Sequence, residues 1–386
     1  MLLRISSHYL STILYQLMLI KLLLSHSLES AGEYFLYVSM LAPVLMLLNS
    51  NFKQYAVYNT YGAFQTLAAS RMVAFLFFLL ISFSLVLLVS NVFIFILALS
   101  VKSYDFWVDC LHASELRNGK PLFSFVYPIM LVASLAAFYI FKDYIPNVMV
   151  ISIFLFIILS LSALSLSLRN LEFKIDIISP ALLKSLELVI IFGVSAFAMS
   201  LTASVPRFAI DIYIGTEKLA VFGAFLYFSL AFNAMTLSIF QYRIKRYTEL
   251  ALESNVYIVA LLVFTLSIIA LCIATVFHQL IINIIFGNEL VQYSKLLPAF
   301  FGFMVLFSLG IVFQQALIAS SKAKELRSIN YLMLLFALVS VWPFLFLGGF
   351  AGALAYFYIF YIVKLSLVYF CFKRGMNAKS ANEYSV

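Results

Sequence analysis

Apolar residues come in runs of about 20 along most of the chain, without the strict polar–apolar alternation of half-buried β-strands. Such a run is long enough for an α-helix to cross the hydrocarbon core of a bilayer. The pattern predicts an all-α polytopic membrane protein with about 12 transmembrane helices. These predicted spans lie near residues 8–25, 34–50, 72–89, 91–109, 122–141, 147–167, 186–206, 219–240, 255–277, 296–320, 329–348 and 352–372.

The third and fourth predicted spans are the hardest to separate. Apolar sequence is nearly continuous from Met72 to Ala98 and is broken only at Ser90 and Asn91, so one long helix is an alternative. Two spans need at least about 34 residues, and Met72 to Asp109 supplies 38. The length therefore favours two helices.

Composition excludes several classes of protein. The chain is 65% hydrophobic and 10% charged, whereas soluble domains carry about 25% charged residues. Soluble enzymes, disordered linkers and disulfide scaffolds do not fit, and a membrane β-barrel needs alternating strands of about 10 residues. The three cysteines, Cys110, Cys272 and Cys371, form no CxxC pair, so neither a disulfide nor a metal cluster is expected.

The distribution of Lys and Arg predicts the orientation. With the N-terminus inside, 17 of the 24 basic residues fall in inner segments, 4 in outer connections and 3 within spans. Positive charge accumulates on the cytoplasmic side of membrane proteins. We therefore expect a multi-pass membrane protein with both termini cytoplasmic. Because the basic charge is spread over inner segments, nucleic-acid binding is not expected.

The polar segment 169–185 divides the twelve spans into six and six. Transporters are commonly built from two such repeats of several helices. The predicted organisation is an N-terminal six-helix bundle at 1–168, a cytoplasmic linker at 169–185, a C-terminal six-helix bundle at 186–373 and a cytoplasmic tail at 374–386.

Familiar catalytic patterns are missing from the chain. There is no GxxxxGK[ST] phosphate loop, no GxSxG and no HExxH, and the four histidines are scattered. The predicted connections are about 20 residues or shorter, which leaves no room for a soluble catalytic domain. We therefore expect a protein that is not an enzyme and carries no cofactor. An integral-membrane glycan polymerase is a weaker alternative to a transporter, since it generally needs a large outer loop and the predicted outer loops are short.

The fourth predicted span carries the densest set of charges. Lys102, Asp105, Asp109 and His112 follow one another at helical spacing and fall within about 80° of arc. A charge at mid-bilayer is costly and suggests a functional site. One interpretation is a structural Lys102–Asp105 pair with two interfacial groups. The other is a proton or cation site formed by Asp105 and Asp109.

Three segments resemble a known family. The strongest likeness is Ser204-Val-Pro-Arg-Phe-Ala-Ile-Asp-Ile-Tyr-Ile-Gly, which resembles the segment joining the seventh and eighth helices of bacterial O-antigen and polysaccharide flippases. Ala31-Gly-Glu-Tyr-Phe-Leu-Tyr and Ile285-Phe-Gly-Asn-Glu-Leu-Val are similar to two further segments of that family. These flippases belong to the multidrug, oligosaccharidyl-lipid and polysaccharide exporter (MOP) superfamily. Ala220 departs from the pattern, because the family usually has glycine there.

The resemblance implies two six-helix bundles around a central cavity that opens alternately to each side. The implied substrate is an undecaprenyl-diphosphate-linked oligosaccharide, moved from the cytoplasmic to the periplasmic leaflet of the bacterial inner membrane. A polysaccharide polymerase and a chain-length regulator are the implied partners. A multidrug or metabolite antiporter of the same superfamily is the alternative.

Four basic residues within or beside the spans are the candidate ligands of a diphosphate: Lys21, Lys102, Arg207 and Lys364. Charge-assisted hydrogen bonds to phosphate oxygens favour such groups. On this hypothesis Asp105 and Asp109 couple transport to an ion. Each lysine or arginine also has a structural interpretation: Lys21 reaching the outer headgroups, Lys364 in a buried pair, and Arg207 in an ordinary outer loop. We expect span seven to continue past Pro206 through Tyr213, which would bring Arg207 inside the helix.

Overall fold

The computed structural model describes the backbone of residues 2–49, 63–117, 123–141, 148–170, 180–244, 252–320 and 323–383. Over these residues the chain is built from α-helices and short 3-10 turns, which confirms the predicted fold class. The α-helices are α1 (Leu2–His26), α2 (Leu28–Asn49), α3 (Ala63–Leu85), α4 (Val92–Arg117), α5 (Phe123–Ile140), α6 (Val148–Asn170), α7 (Pro180–Ile214), α8 (Thr216–Ile244), α9 (Leu252–Phe286), α10 (Leu297–Ala319) and α11 (Ala323–Glu383).

The predicted spans fall on these helices in chain order. Spans one to ten lie on α1 to α10, and spans eleven and twelve both lie on α11, which breaks at Gly349. Much of the predicted linker, 171–179, lies outside the described residues. The predicted tail begins as a continuation of α11, which runs to Glu383.

Six described segments are long and apolar enough to cross a membrane by length and composition: Leu28–Leu48, Gly193–Ile214, Thr216–Leu237, Asn255–Phe286, Asn288–Ile318 and Lys324–Arg374. Four shorter apolar segments lie on α1, α3, α5 and α6. Helix α4 is long enough, but it carries the charged stripe Lys102, Asp105 and Asp109. Its polarity needs compensation inside the protein.

Helices α3 and α4 are separate, because polar groups of α2 hold the break between them. The Glu33 carboxylate accepts hydrogen bonds from Ser90 Oγ and Asn91 Nδ2, both at 3.0 Å. The Tyr37 hydroxyl accepts the Asn91 backbone N–H at 3.0 Å. The Asn91 side-chain oxygen caps α4 by accepting the N–H of Ile94 at 3.3 Å. The two-helix prediction for this region is confirmed.

The chain forms two compact units. We call Glu29–Phe208 the N-unit and Met1–Leu28 with Ala209–Val386 the C-unit. Helix α1 belongs to the C-unit because it packs against α8 and α9. The division by contacts thus differs from the predicted division by chain order, which groups α1 with the first half; the six-plus-six organisation stays a prediction.

Within the N-unit, α4 and α6 form the most extensive helix pair. Trp107 and Phe106 of α4 pack against Phe75 of α3, with ring centroids 5.1 and 5.4 Å from Phe75. Tyr104 packs edge-on against Phe156 of α6 at 5.7 Å. These aromatic contacts determine which face of α4 packs against α3 and α6. They thereby also determine the direction in which the charged stripe of α4 points.

Within the C-unit, α10 is central and contacts α8, α9 and α11. The Phe222 ring of α8 lies 5.4 Å from Phe300 of α10 and 5.1 Å from Phe357 of α11. The part of α11 after Gly349, its second arm, contacts α10 through three pairs of rings. Residue numbers increase in the same order on both helices: Phe303 with Phe357, Phe307 with Tyr361, and Phe313 with Tyr369. These two helices therefore run parallel.

The two arms of α11 form a tight helical hairpin. Gly349 has φ +53°, a conformation that L side chains rarely adopt. Gly352 approaches the first arm so closely that a Cβ there would collide with the carbonyl oxygen of Phe344. A glycine turn and a glycine contact thus join two spans with almost no connecting loop.

Candidate functional site

The charged stripe of α4 contains a short ion pair. Lys102 Nζ donates to Asp105 Oδ2 at 2.9 Å, and the side chains are 13% and 17% exposed. Asp109 is half-buried and His112 is fully buried further along the same helix. The structure brings Lys102 and Asp105 together as the local spacing predicts. The roles of Asp105 and Asp109 in ion coupling and of Lys102 in substrate binding stay predictions.

Arg207 lies inside α7, which continues through Pro206 to Ile214. The predicted continuation past Pro206 through Tyr213 is confirmed, and the outer-loop interpretation of Arg207 is wrong. The side chain is 8% exposed, and its Nη1 donates to Ser39 Oγ of α2 at 3.2 Å. Ser39 Oγ in turn donates to the Phe35 carbonyl at 2.7 Å. Arg207 is therefore a buried cation held against a hydroxyl of the N-unit.

The segment that carries the family resemblance ends α7 in a defined way. Gly215 has φ +106°, and its N–H donates to the carbonyls of Ile210 and Asp211, both at 3.1 Å. Thr216 Oγ1 donates to the Asp211 carboxylate at 2.8 Å. A glycine in this left-handed conformation is the common way to end a helix. Gly287, in the third similar segment, follows the end of α9 at a positive φ of +86°, and its N–H donates to Asn283 O at 3.0 Å.

Lys364 lies on the second arm of α11 in the C-unit and is 9% exposed. Tyr361, one turn before it, stacks on Phe303 of α10 with centroids 5.7 Å apart. No hydrogen bond or ion pair joins Lys364 to another residue of the described ranges. Within those ranges Lys364 thus lacks the partner that the buried-pair interpretation requires. Its role in substrate binding stays a prediction.

Lys21 of α1 donates from Nζ to the Ile284 carbonyl at 3.1 Å, in the last turn of α9. The C-terminal carbonyls of a helix carry partial negative charge and favour a nearby cation. Here Lys21 stabilises a helix end within the C-unit. Its proposed contact with a diphosphate stays a prediction.

A cavity of about 320 Å³ lies in the N-unit between α3, α4 and α6. Ser103 and Trp107 line it, together with Phe75 and Leu161. At 100° per residue, Trp107 lies about 140° around α4 from Lys102. The cavity and the charged stripe therefore occupy nearly opposite faces of the helix, and the cavity is apolar.

Two groups of polar residues escaped the sequence analysis. One is the set of hydrogen bonds that joins Glu33 and Tyr37 to Ser90 and Asn91, here called the Glu33 network. From the sequence, Glu33 was visible only as part of a segment similar to one of the flippase family. The other is a set of buried polar side chains on α8 and α10: Ser229, Ser308 and Gln315. Isolated serines in an apolar run carry no distinctive pattern, so only the packing of the helices identifies them.

No family model matches the chain, and no curated protein does at a significant level. Solved structures do match over nearly the whole length. A mutant of the Vibrio cholerae MATE transporter VcmN has a TM-score of 0.65 at 14% identity, covering 97% of this chain and 95% of that one. An inward-facing multidrug resistance MATE family transporter of the MOP superfamily has a TM-score of 0.66 at 13% identity, covering 94% and 95%.

This chain has the MATE transporter fold. A MOP superfamily transporter from Pyrococcus furiosus, for which a reverse polarity of the binding pocket is described, also shares it. Its TM-score is 0.61 at 12% identity, with 96% of this chain and 95% of that chain covered. Two of these three structures are described as members of the MOP superfamily, to which the flippases that three segments of this chain resemble also belong.

Proposed function

We propose that this protein is a membrane transporter that works by alternating access. The supporting observation is the MATE fold, matched over nearly the full length of both chains. The absence of recognisable catalytic motifs from the sequence is consistent with transport. Large apolar side chains such as Leu87, Phe346 and Leu347 are more than 70% exposed in the described structure, as expected for helices whose solvent is lipid.

We propose further that the transported molecule is anionic, with undecaprenyl-diphosphate-linked oligosaccharide as the substrate. Arg207 supports this proposal, because it is a buried, permanently charged group in the segment that resembles polysaccharide flippases. A guanidinium can bind phosphate oxygens through two parallel hydrogen bonds. Lys102 can add a second contact when it leaves Asp105. Transport then runs from the cytoplasmic to the periplasmic leaflet of the inner membrane, with polymerase and chain-length regulator as partners.

A multidrug or metabolite antiporter is the second candidate. It is favoured by the solved structures, among which a multidrug resistance MATE transporter matches well. A cationic drug would require acidic groups at its binding site. The sign of the charge that the substrate carries therefore separates the two candidates.

The deciding experiment uses a deletion strain of the source bacterium. We expect loss of surface polysaccharide and accumulation of the complete lipid-linked unit on the cytoplasmic side. Arg207→Gln should fail to restore the polysaccharide, whereas Arg207→Lys, which keeps the charge, should restore part of it. Arg374→Gln, at an exposed position, is the matched control. Normal polysaccharide with raised sensitivity to cationic drugs would overturn the flippase proposal and favour the antiporter.

A further inference from the structure

Lys364 is a buried cation in the middle of the C-unit, and no acidic side chain that the structure describes lies beside it. The acidic residues of this unit whose side chains are described are Asp211, Glu217, Glu289 and Glu325, and they lie at or beside helix ends. A buried charge without a counter-charge is strongly unfavourable. Among the described residues of the C-unit, no acidic side chain therefore lies at the same depth as Lys364 to balance its charge.

Two serine hydroxyls lie at the same depth as Lys364. Phe222, Phe300 and Phe357 pack together and mark one level on α8, α10 and the second arm of α11. These are alternate spans, so they run in the same direction. Ser229 and Lys364 each follow their phenylalanine by seven residues, and Ser308 by eight. At 1.5 Å per residue, the three side chains lie about 10 to 12 Å beyond the cluster.

Helical geometry turns Ser229 and Lys364 towards each other's helices and Ser308 towards α8. Seven residues bring a helix back to within about 20° of its starting direction. Ser229 therefore shares the direction of Phe222, which faces α10 and α11, and Lys364 shares that of Phe357, which faces α8 and α10. Ser308 lies about 80° from Phe300, between the directions of Phe300 and Phe301, and both of these rings contact α8.

The two hydroxyls differ from four other buried hydroxyls of this protein. Ser39, Ser82, Thr202 and Ser267 each donate to the carbonyl four residues earlier. Ser229 and Ser308 are 0% exposed, and within the described ranges neither oxygen has a hydrogen-bond partner. Buried polar groups are nearly always hydrogen-bonded. Both O–H groups are thus free to donate to a ligand.

We propose that Lys364, Ser229 and Ser308 bind a small monovalent anion of halide size inside the C-unit. One ammonium supplies the balancing charge, and the hydroxyls add two neutral donors. A diphosphate would bring more negative charge than one lysine balances. The site is distinct from the proposed substrate contact at Arg207 and does not depend on which substrate is transported.

The test measures the thermal stability of the purified full-length protein in sodium chloride, sodium bromide or sodium gluconate at equal ionic strength. Chloride and bromide should raise the unfolding temperature of the wild type in a saturable way, whereas gluconate should not. Lys364→Met should abolish this dependence, and Lys295→Met, at an exposed position, should keep it. Ser229→Ala and Ser308→Ala should each weaken the halide affinity by about tenfold or more, whereas Ser267→Ala should not.

Bromide anomalous diffraction on the wild type provides an independent result, which matters if Lys364→Met does not fold. A bromide peak beside Lys364 Nζ supports the proposal, and Lys364→Arg should retain halide-dependent stability. A wild type that does not respond to halide, or a Lys364→Met variant that responds as the wild type does, would overturn it. So would water, rather than bromide, at this position.

Discussion

At the scale of single residues, the basic groups predicted as ligands have different environments. Lys102 pairs with Asp105, Lys21 stabilises the end of α9, and Arg207 donates to Ser39. Lys364 is buried without a described partner. Sequence alone does not show these differences, because each residue is a cation within or near an apolar run. Their neighbours decide which cations are compensated within the protein.

The Lys102–Asp105 pair allows a quantitative prediction. Removing one partner leaves the other charge uncompensated in a mostly buried position, so Lys102→Met and Asp105→Asn should each destabilise the protein. The double variant should be less destabilised than the sum of the two single variants, by about 1–3 kcal/mol. Thermal unfolding of the four proteins in one detergent measures this coupling. Additive single effects would show that the pair contributes nothing to stability.

How far each contact could be predicted depends on its separation along the chain. Lys102 and Asp105 are one helical turn apart, so their pairing follows from helix geometry. Lys21 and Ile284 are 263 residues apart, and Arg207 and Ser39 are 168 apart. Such contacts depend on how the helices pack, which one sequence does not encode in any local pattern. The Glu33 network was missed for the same reason.

At the scale of elements, helix ends and breaks followed local chemistry. Ser90 and Asn91 separate α3 from α4, and Gly215 and Gly287 follow the ends of α7 and α9 at positive φ. The break at Ser90 and Asn91 was predicted, because polar groups interrupt an apolar run there. Pro206 does not end its helix, because α7 continues through it to Ile214.

The hairpin of α11 allows a test with a matched control. Gly352→Ala should destabilise the protein by about 1–3 kcal/mol, because the new Cβ meets the backbone carbonyl of Phe344, which cannot move aside easily. Gly348→Ala, in the same hairpin, meets no atom within 4 Å and should be tolerated. Unfolding temperatures of the two variants compare them directly. Equal stability would mean that the two arms of α11 can separate at no cost.

At the scale of the whole molecule, the orientation in the membrane rests on the distribution of charge. With 17 basic residues predicted on the inner side and 4 on the outer side, both termini should lie in the cytoplasm. Alkaline phosphatase joined after Gly349 should be active outside, and a fluorescent protein joined after Val386 should fluoresce inside. An inactive phosphatase together with a dark C-terminal fusion would reverse the predicted orientation.

The sequence by itself determined the all-α class, the order of twelve spans and the positions of the intramembrane charges, because all of these follow from local hydropathy and helical periodicity. Only the tertiary structure decided that α1 packs with α8 and α9, that Lys21 stabilises the end of α9, and that Ser229, Ser308 and Lys364 lie at one depth. The physical reason is that most outward-facing side chains in a membrane protein are as apolar as those of the core. Hydropathy therefore shows which segments enter the lipid, but not which helices they meet there.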